Sequence, residues 1–159
     1  MDEICFKYIT DVQKAIPANV GYRGFEKTLC TSINQVICHG IPDTNRILKS
    51  GDIMNIDVTV IKDGWHGDTS KMFLIGKAQS HNERLVRVTQ ECLYKGIEAA
   101  RPGARLGDIG NAIQIHAEKN YYSVVEEYCG HGIGKIYHDE PQILHYGEPN
   151  TGQEIIEGM

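Results

Sequence analysis

Two aspartates are the residues of this chain whose spacing most directly suggests metal chemistry. Asp57 lies in one predicted strand and Asp68 in the next, and Asp63-Gly64 between them is a favoured two-residue hairpin turn. A hairpin closed at this turn places Thr59 opposite Asp68. Because side chains alternate along a strand, Asp57 shares the face of Thr59 and becomes the diagonal neighbour of Asp68, roughly 7–8 Å away between Cα atoms.

Two carboxylates on one sheet face repel each other unless a cation compensates them. A pair of divalent metal ions would do so, because carboxylates can bridge ions held about 3.5–4 Å apart. A solvated sheet face with both acids in water is the alternative, and the hairpin alone leaves both open. The opposite face of the first strand carries Ile56, Val58 and Val60, which we expect to face the core.

Three histidines lie near turn residues and could join such a site. His131 stands between two glycines, which allow other groups to pack close to an imidazole. His39 and His138 lie at the edges of predicted loops. Each of them taken alone is compatible with an ordinary loop, whereas we expect His66, beside the hairpin turn, to be solvated.

The hydrophobic pattern around these residues predicts one α+β domain over residues 1–159. A helix over 2–15 has an apolar face of Ile4, Tyr8, Val12 and Ala15, and Pro17 ends it. A second helix over 82–100 has Leu85, Val88, Cys92, Leu93 and Ile97 on one side. The remaining predicted elements are a loop over 18–27, strands over 29–38, 55–61, 65–75 and 122–129, and a helix over 106–119.

Composition excludes several classes of protein. The 159 residues carry 16 Lys and Arg against 21 Asp and Glu, a formal net charge of −5, which argues against nucleic-acid binding. No apolar stretch approaches the roughly 20 residues that span a bilayer. The acidic start and five cysteines without a CxxC pair favour a cytoplasmic location with reduced thiols.

Five separated segments together resemble one family. In this order and spacing the chain is similar to the bacterial type I methionine aminopeptidases over essentially its whole length. The segments are Cys38-His39-Gly40-Ile41-Pro42, Asn55-Ile56-Asp57-Val58-Thr59, Gly64-Trp65-His66-Gly67-Asp68-Thr69-Ser70, Tyr128-Cys129-Gly130-His131-Gly132-Ile133-Gly134 and His138-Asp139-Glu140-Pro141.

The resemblance implies a fold, an activity and a cofactor. The fold is the pita-bread (creatinase/aminopeptidase) fold, an antiparallel sheet flanked by helices. The implied activity is metal-dependent removal of the initiator methionine from nascent proteins when a small residue follows. The implied cofactors are two divalent ions (Co, Mn, Fe, Zn or Ni), and the partners are nascent polypeptide N-termini at the ribosome. Neither DNA nor a membrane is expected, and the complete enzyme would be a monomer.

The resemblance also implies roles for particular residues. Asp57, Asp68 and His131 match metal ligands. His39 and His138 match catalytic histidines that also contact the substrate or its oxyanion. The positions matching the methionine pocket are Tyr22, Phe25, Cys30 and Tyr137. Phe25 stands where a tyrosine is commoner, and Asn19 where a cysteine is common, so we expect small effects on this pocket.

The family pattern further requires two glutamate ligands, and no residue up to Met159 matches them. We therefore expect an incomplete domain that lacks the C-terminal third. Two divalent ions bring four positive charges, whereas the two aspartates bring two negative charges. The chain alone is accordingly expected to be weakly active or inactive.

Two other functions stay open at this point. A proline dipeptidase-like hydrolase shares the fold, although the Cys38–Pro42 segment favours the methionine enzyme. A non-catalytic pita-bread module that binds a protein would explain the missing glutamates. It would not explain why the aspartates and the three histidines are all retained.

Overall fold

The computed structural model describes all 159 residues and shows helices together with antiparallel strands, as an α+β protein requires. One compact unit comprises Met1–Glu83 with Ile133–Tyr137, and the other comprises Arg84–Gly132 with His138–Met159. The elements in chain order are α1 (Asp2–Lys7), β1 (Ile16–Pro17), β2 (Cys30–Ile33), β3 (Ile53–Lys62), β4 (Trp65–Leu74), α2 (Ser80–Ala99), α3 (Leu106–Lys119), β5 (Gly130–Gly132) and β6 (Asp139–Ile143).

The sheet of the first unit is organised around β3. Strand β4 pairs along one edge of β3, while β2 and β1 pair at successive positions along the other edge, and every pairing is antiparallel. The predicted hairpin register is confirmed, because Thr59 lies opposite Asp68. Asp63 and Gly64 both have positive φ, 52° and 82°, as the favoured two-residue turn demands.

Burial in the first unit differs from the sequence prediction at the N-terminus. The helix is present, but α1 passes into a π-helical turn over Tyr8–Val12. Ile4 and Val12 on the predicted apolar face are 73% and 64% exposed, whereas Ala15 on that face is 8% exposed and Ile9 outside it is 3% exposed. The helical spacing was therefore a correct sign of helix and a wrong guide to the buried face, which depends on where the sheet lies.

The central strand shows a second difference. Its predicted core residues Ile56, Val58 and Val60 are only half-buried, while Thr59 on the opposite face is 1% exposed. Thr59 is buried because the side chain of Tyr137 packs over it and the two hydroxyls are hydrogen-bonded at 2.7 Å. The alternative that the whole aspartate face is solvated therefore does not hold at Thr59.

In the second unit, α2 and α3 pack against each other. Their contact centres on Val88, Cys92 and Ala117, with Ile113, Tyr122 and Val124 around them. Gly96 allows the close approach, since an added Cβ there would lie 3.0 Å from the Ile113 Cδ1 atom. Leu93 and Ile97, predicted on the buried side of α2, are each 57% exposed.

Helix α3 begins and ends at the predicted residues, and α2 begins two residues earlier than predicted. Two strand predictions were wrong in extent. Residues 122–129 form no strand, and the strand in this region is β5, which pairs with β6. The strand predicted over 29–38 is limited to β2, since the chain turns back at Asn34 with positive φ. No helix of this chain has the length and apolar character needed to cross a membrane.

Candidate metal centre

The hairpin brings Asp57 and Asp68 to one face of the sheet. Asp57 faces Ser70 and Asp68 faces Thr59 across the β3–β4 pair, so the two aspartates are diagonal neighbours on the same side. Asp57 is half-buried and Asp68 is exposed. Two carboxylates in this arrangement fit the oxygen ligands that hard divalent ions prefer.

The pKa of the Cys30 thiol is raised in part by the negative charge of these carboxylates. Cys30 lies directly opposite Asp57 across β2 and β3 and is 7% exposed. Burial raises the pKa of the Cys30 thiol to about 11, and the charges of Asp57, Cys38 and Asp68 add to this rise. A cation bound at the aspartates would offset that repulsion.

His39 is held next to β2 by a tight backbone contact. The amide of Thr31 donates to the Gly40 carbonyl at 2.7 Å, and the amide of Gly40 donates to Ser32 Oγ at 3.1 Å. A side chain at Gly40 would collide with the Thr31 carbonyl oxygen. His39 itself adopts a left-handed conformation (φ 56°) with its side chain exposed, a backbone state that is uncommon outside glycine and concentrates at functional sites.

His131 and His138 lie together in the second unit. Their ring centroids are 4.4 Å apart. The Nδ1–H of His131 donates to the Gly132 carbonyl at 2.8 Å, because a carbonyl oxygen can only accept. This tautomer puts the ring's lone pair on Nε2, the form in which a neutral imidazole binds metal.

Strand β5 also explains how these histidines are placed. A Cβ at Gly132 would collide with the Glu140 carbonyl oxygen, so β5 and β6 approach more closely than other residues allow. His131 pairs with Gln142 at this point, just before an irregularity in the register. No group of three or more His, Cys, Asp or Glu side chains that could hold a metal ion is found in the chain. The inclusion of His131 with the aspartates stays a prediction.

Of the residues predicted to line a pocket, Tyr22 and Tyr137 contact each other, with ring centroids 4.7 Å apart. Phe25 is half-buried and follows Tyr22 in a short 3₁₀ turn, where its amide donates to the Tyr22 carbonyl at 2.9 Å. Cys30 is buried in β2. The segment Ile133–Tyr137 thus contributes an aromatic ring to the first unit, although most of its sequence neighbours belong to the second.

Sequence reasoning named Asn19 and Thr59 without the hydrogen bonds they make, and it misjudged His66. The Tyr137 hydroxyl lies 2.6 Å from Asn19 Oδ1 and 2.7 Å from Thr59 Oγ1, and both partners are buried. His66 is half-buried rather than solvated. Its Nδ1–H donates to the Gly134 carbonyl at 3.0 Å, and its ring stacks on Tyr137 at 5.3 Å. The alternation that placed Thr59 and His66 on the aspartate face was the available signal.

Known proteins provide a comparison for this arrangement. Methionine aminopeptidase of Salmonella typhimurium is 58% identical over all 159 residues. The crystal structure of methionine aminopeptidase from Rickettsia prowazekii superimposes with a TM-score of 0.97 at 56% identity, over 99% of this chain and 63% of that one. Prolidase from Pyrococcus furiosus matches 76% of this chain and 36% of its own, with a TM-score of 0.68 at 20% identity, a likeness of fold alone.

The chain spans about 60% of the length of the curated relatives it matches. The pita-bread fold implied by the resemblance is confirmed by these structural matches. A family model described as "Metallopeptidase family M24" matches residues 5–159. Peptide hydrolysis with divalent metal is the chemistry which that description implies, and paired carboxylates suit it. The chain therefore belongs to metallopeptidase family M24.

Proposed function

We propose that this chain serves as a methionine aminopeptidase, removing the initiator methionine from proteins in which a small residue follows. The observation that carries the proposal is the placement of Asp57 and Asp68 on one face of the β3–β4 hairpin. The identities of 55–58% to proteins named methionine aminopeptidase support this substrate over others within the family.

Asp57, Asp68 and His131 are the proposed ligands of two divalent ions drawn from Co, Mn, Fe, Zn and Ni. When bound, such ions acidify water for attack and polarise the scissile carbonyl. The two aspartates contribute carboxylate oxygens from one rigid hairpin, and His131 contributes an imidazole in the required tautomer. No glutamate of this chain is assigned to the two further ligands that the family pattern requires, so we propose that its metal affinity and turnover are weak.

His39 and His138 are the proposed catalytic histidines. A hydrogen-bond donor aimed at a developing oxyanion is worth roughly 3–4 kcal/mol of barrier in comparable sites. We assign that role to His138, whose ring packs against His131. His39 is proposed to contact the peptide, and its left-handed backbone and the Gly40 contact with β2 hold it in one place.

The first residue of the substrate is proposed to enter a pocket formed by Tyr22, Phe25, Cys30 and Tyr137. Aromatic rings and a thiol suit the flexible, polarizable methionine side chain. Cys30 presents a neutral thiol at neutral pH, because burial and the nearby acids hold its pKa near 11. An ionised thiol there would disfavour an apolar side chain.

The setting of this function is also a proposal. Nascent chains at the ribosome are the expected partners, the cytoplasm is the expected location, and a monomer is the expected state. Residues 1–159 are proposed to be part of one metallopeptidase catalytic domain. The support is the match of the family model to residues 5–159.

The test is release of methionine from Met-Ala-Ser with added Mn²⁺ or Co²⁺, measured beside an X-Pro dipeptide. Slow release of methionine with no cleavage of the dipeptide is expected. Cleavage of the X-Pro dipeptide in preference would replace the proposal with a proline dipeptidase. No release of methionine by a protein that also fails to bind metal would favour a non-catalytic binding module.

Calorimetry with Mn²⁺ tests the ligands separately from activity. Asp57→Asn and Asp68→Asn are each expected to weaken binding at least about tenfold, as loss of a charged ligand does. Asp63→Asn is the matched control, because it makes the same charge change at the hairpin tip and Asn-Gly suits the same turn. Equal effects of all three substitutions would show that net charge, and not the paired face, governs binding.

A further inference from the structure

The segment Ile133–Tyr137 contacts the β3–β4 hairpin, which carries Asp57 and Asp68, at several points. The backbone amide of His66 donates to the Gly134 carbonyl at 2.8 Å, and His66 Nδ1–H donates to the same oxygen at 3.0 Å. The Trp65 ring lies 3.6 Å from where a Cβ of Gly134 would stand, and Lys135 Nζ lies 5.3 Å from the Trp65 ring centroid. Together these contacts hold the segment against the start of β4.

At the other end of the segment, the hydroxyl of Tyr137 makes hydrogen bonds within the first unit. Its hydroxyl lies 2.6 Å from Asn19 Oδ1 and 2.7 Å from Thr59 Oγ1. Asn19 is 6% exposed and Thr59 is 1% exposed, so the hydroxyl of the half-buried Tyr137 joins two buried polar groups in one polar cluster. A tyrosine hydroxyl has one proton, so it donates to the Asn19 oxygen and accepts from the Thr59 hydroxyl.

The hydroxyl of Tyr137 is therefore used by protein partners and not offered to a ligand. Its ring contacts Tyr22 on one side and His66 on another, at centroid separations of 4.7 and 5.3 Å. Burial raises the pKa of Tyr137 to about 12, so the proton that it donates to Asn19 stays in place across the physiological range. A pocket lined by Tyr137 would therefore present the aromatic ring to a ligand, because the hydroxyl of Tyr137 is bonded to Asn19 and Thr59.

The cluster of Tyr137, Asn19 and Thr59 is next to residues of the proposed site in the sequence and in the sheet. Thr59 is the cross-strand partner of Asp68. Tyr137 is followed at once by His138, and Ile133 is preceded by Gly132 and His131. The fastened segment is thus the piece of chain between the two histidines, and its end is bonded to the strand that carries Asp57.

We propose that Tyr137 is a positioning residue, whose hydroxyl bridges Asn19 and Thr59 and so fixes the chain segment from which His131 and His138 extend. This inference rests on the proposed function for its catalytic meaning, but the bridge itself can be measured without turnover. A phenylalanine at this position would keep the aromatic wall and lose the bridge. The presence of an oxygen acceptor at Asn19 is then explained as the partner of this hydroxyl.

The test compares Tyr137→Phe with Tyr121→Phe in the full chain by amide hydrogen exchange and histidine-ring NMR. Tyr121 is 92% exposed, so its hydroxyl serves as the control for the chemical change alone. In Tyr137→Phe, the His66 amide, which donates to Gly134, is expected to exchange at least about tenfold faster, and the His138 ring signals to shift. Neither change is expected in Tyr121→Phe. Unchanged exchange and unchanged ring signals in Tyr137→Phe would overturn the proposal.

A double-variant comparison separates the bridge from general loss of stability. Thr59→Val removes the other member of the pair while keeping a β-branched side chain. If the two groups act through one bond, the double variant is expected to exchange about as fast as the faster single variant. Effects that multiply would show that the two residues act independently and would contradict the bridge.

Turnover supplies a third arm that also distinguishes this inference from the proposed function. If methionine release is measurable, Tyr137→Phe is expected to lower kcat at least about fivefold with KM changed less than twofold, because the pocket wall remains. A changed KM with unchanged kcat would make Tyr137 a pocket residue only. Absence of turnover in the unsubstituted chain would count against the proposed function, while the exchange and NMR results would still decide the bridge.

Discussion

Cys30 lies directly opposite Asp57 in the antiparallel pair of β2 and β3, so a buried thiol faces a half-buried carboxylate. This relationship joins the proposed methionine pocket to the proposed metal ligands, since one residue of each occupies the same cross-strand position. A change of charge at the aspartates is therefore expected to be felt by the thiol, and the thiol can be titrated.

The alkylation of Cys30 by iodoacetamide is expected to follow a pKa of about 11 in the folded protein. Burial is the largest cause of the raised pKa and Asp57 is the next, so Asp57→Asn is expected to lower it. The pKa should nevertheless stay above the ordinary value of 9.0, because burial remains. Mass spectrometry of the Cys30 peptide across pH measures both values.

Asp63→Asn is the control for this titration, because it removes a carboxylate at the tip of the hairpin. The Cys30 pKa is expected to be unchanged in that variant. An equal fall in pKa in both variants would mean that the thiol responds to total charge and not to its cross-strand neighbour.

The acid stability of the protein is expected to depend on Asp108. Backbone amides of Asn150 and Arg105 donate to its carboxylate, each at 2.7 Å, and hold the pKa of Asp108 below its ordinary 3.8. A lowered folded-state pKa stabilises the protein above the unfolded-state pKa, and this stabilisation is lost as pH falls through the folded-state pKa. Asp108→Asn should therefore lower Tm at pH 7, and its difference from the unsubstituted chain should shrink below about pH 4.

Circular dichroism melts across pH, with Glu127→Gln as the exposed control, test this prediction. The comparison uses Tm differences, because Asp52 and Glu91 also have lowered pKa values and contribute to acid stability in both proteins. A Tm difference for Asp108→Asn that persists unchanged into strong acid would contradict the assigned role of the carboxylate charge.

Gly132→Ala is expected to destabilise the protein by roughly 1–3 kcal/mol, as overpacking against backbone does. The new Cβ would collide with the Glu140 carbonyl oxygen, separate β5 from β6 and displace the carbonyl that holds His131. Chemical denaturation measures the loss of stability, and the His131 ring signals should shift.

Gly67→Ala is the matched control, because a Cβ there would lie 4.0 Å from Val60 Cγ2, an ordinary contact. Its free energy of unfolding is expected to fall no more than about 0.5 kcal/mol, as for substitutions that disturb no packing. Similar losses for the two alanines would indicate a general effect of adding a methyl group in a strand and would refute the close-approach argument.

Val88→Ala is expected to reduce the free energy of unfolding by about 2 kcal/mol, since it removes buried methyl groups from between α2 and α3. Leu93→Ala, on the same helix, is expected to cost no more than about 0.5 kcal/mol, because Leu93 is 57% exposed while Val88 is 2% exposed. Urea denaturation of the two variants measures the difference. A larger loss of unfolding free energy for Leu93→Ala than for Val88→Ala would show that the helix face carrying Leu93 is buried, as the helical spacing alone indicated.

The sequence alone determined the hairpin and the relationship of its aspartates. An Asp-Gly turn between two alternating runs fixes the register locally, and a fixed register fixes which side chains share a face. The same local character explains why a helix was predicted over 106–119, where α3 lies, since apolar residues recur there at helical spacing. Membership of the M24 family was likewise evident from segments whose order and spacing can be read directly.

The tertiary structure alone decided which of these faces is covered. Thr59 is buried and His66 is half-buried because Tyr137 packs over them, and Tyr137 lies 78 residues beyond Thr59 in the chain. Exposure of Ile4 and Leu93 has the same origin, since hydrophobic spacing defines a face but not what lies upon it. The burial of a side chain depends on segments that are distant in the sequence and pack together in the fold. A local sequence pattern does not specify which segments these are.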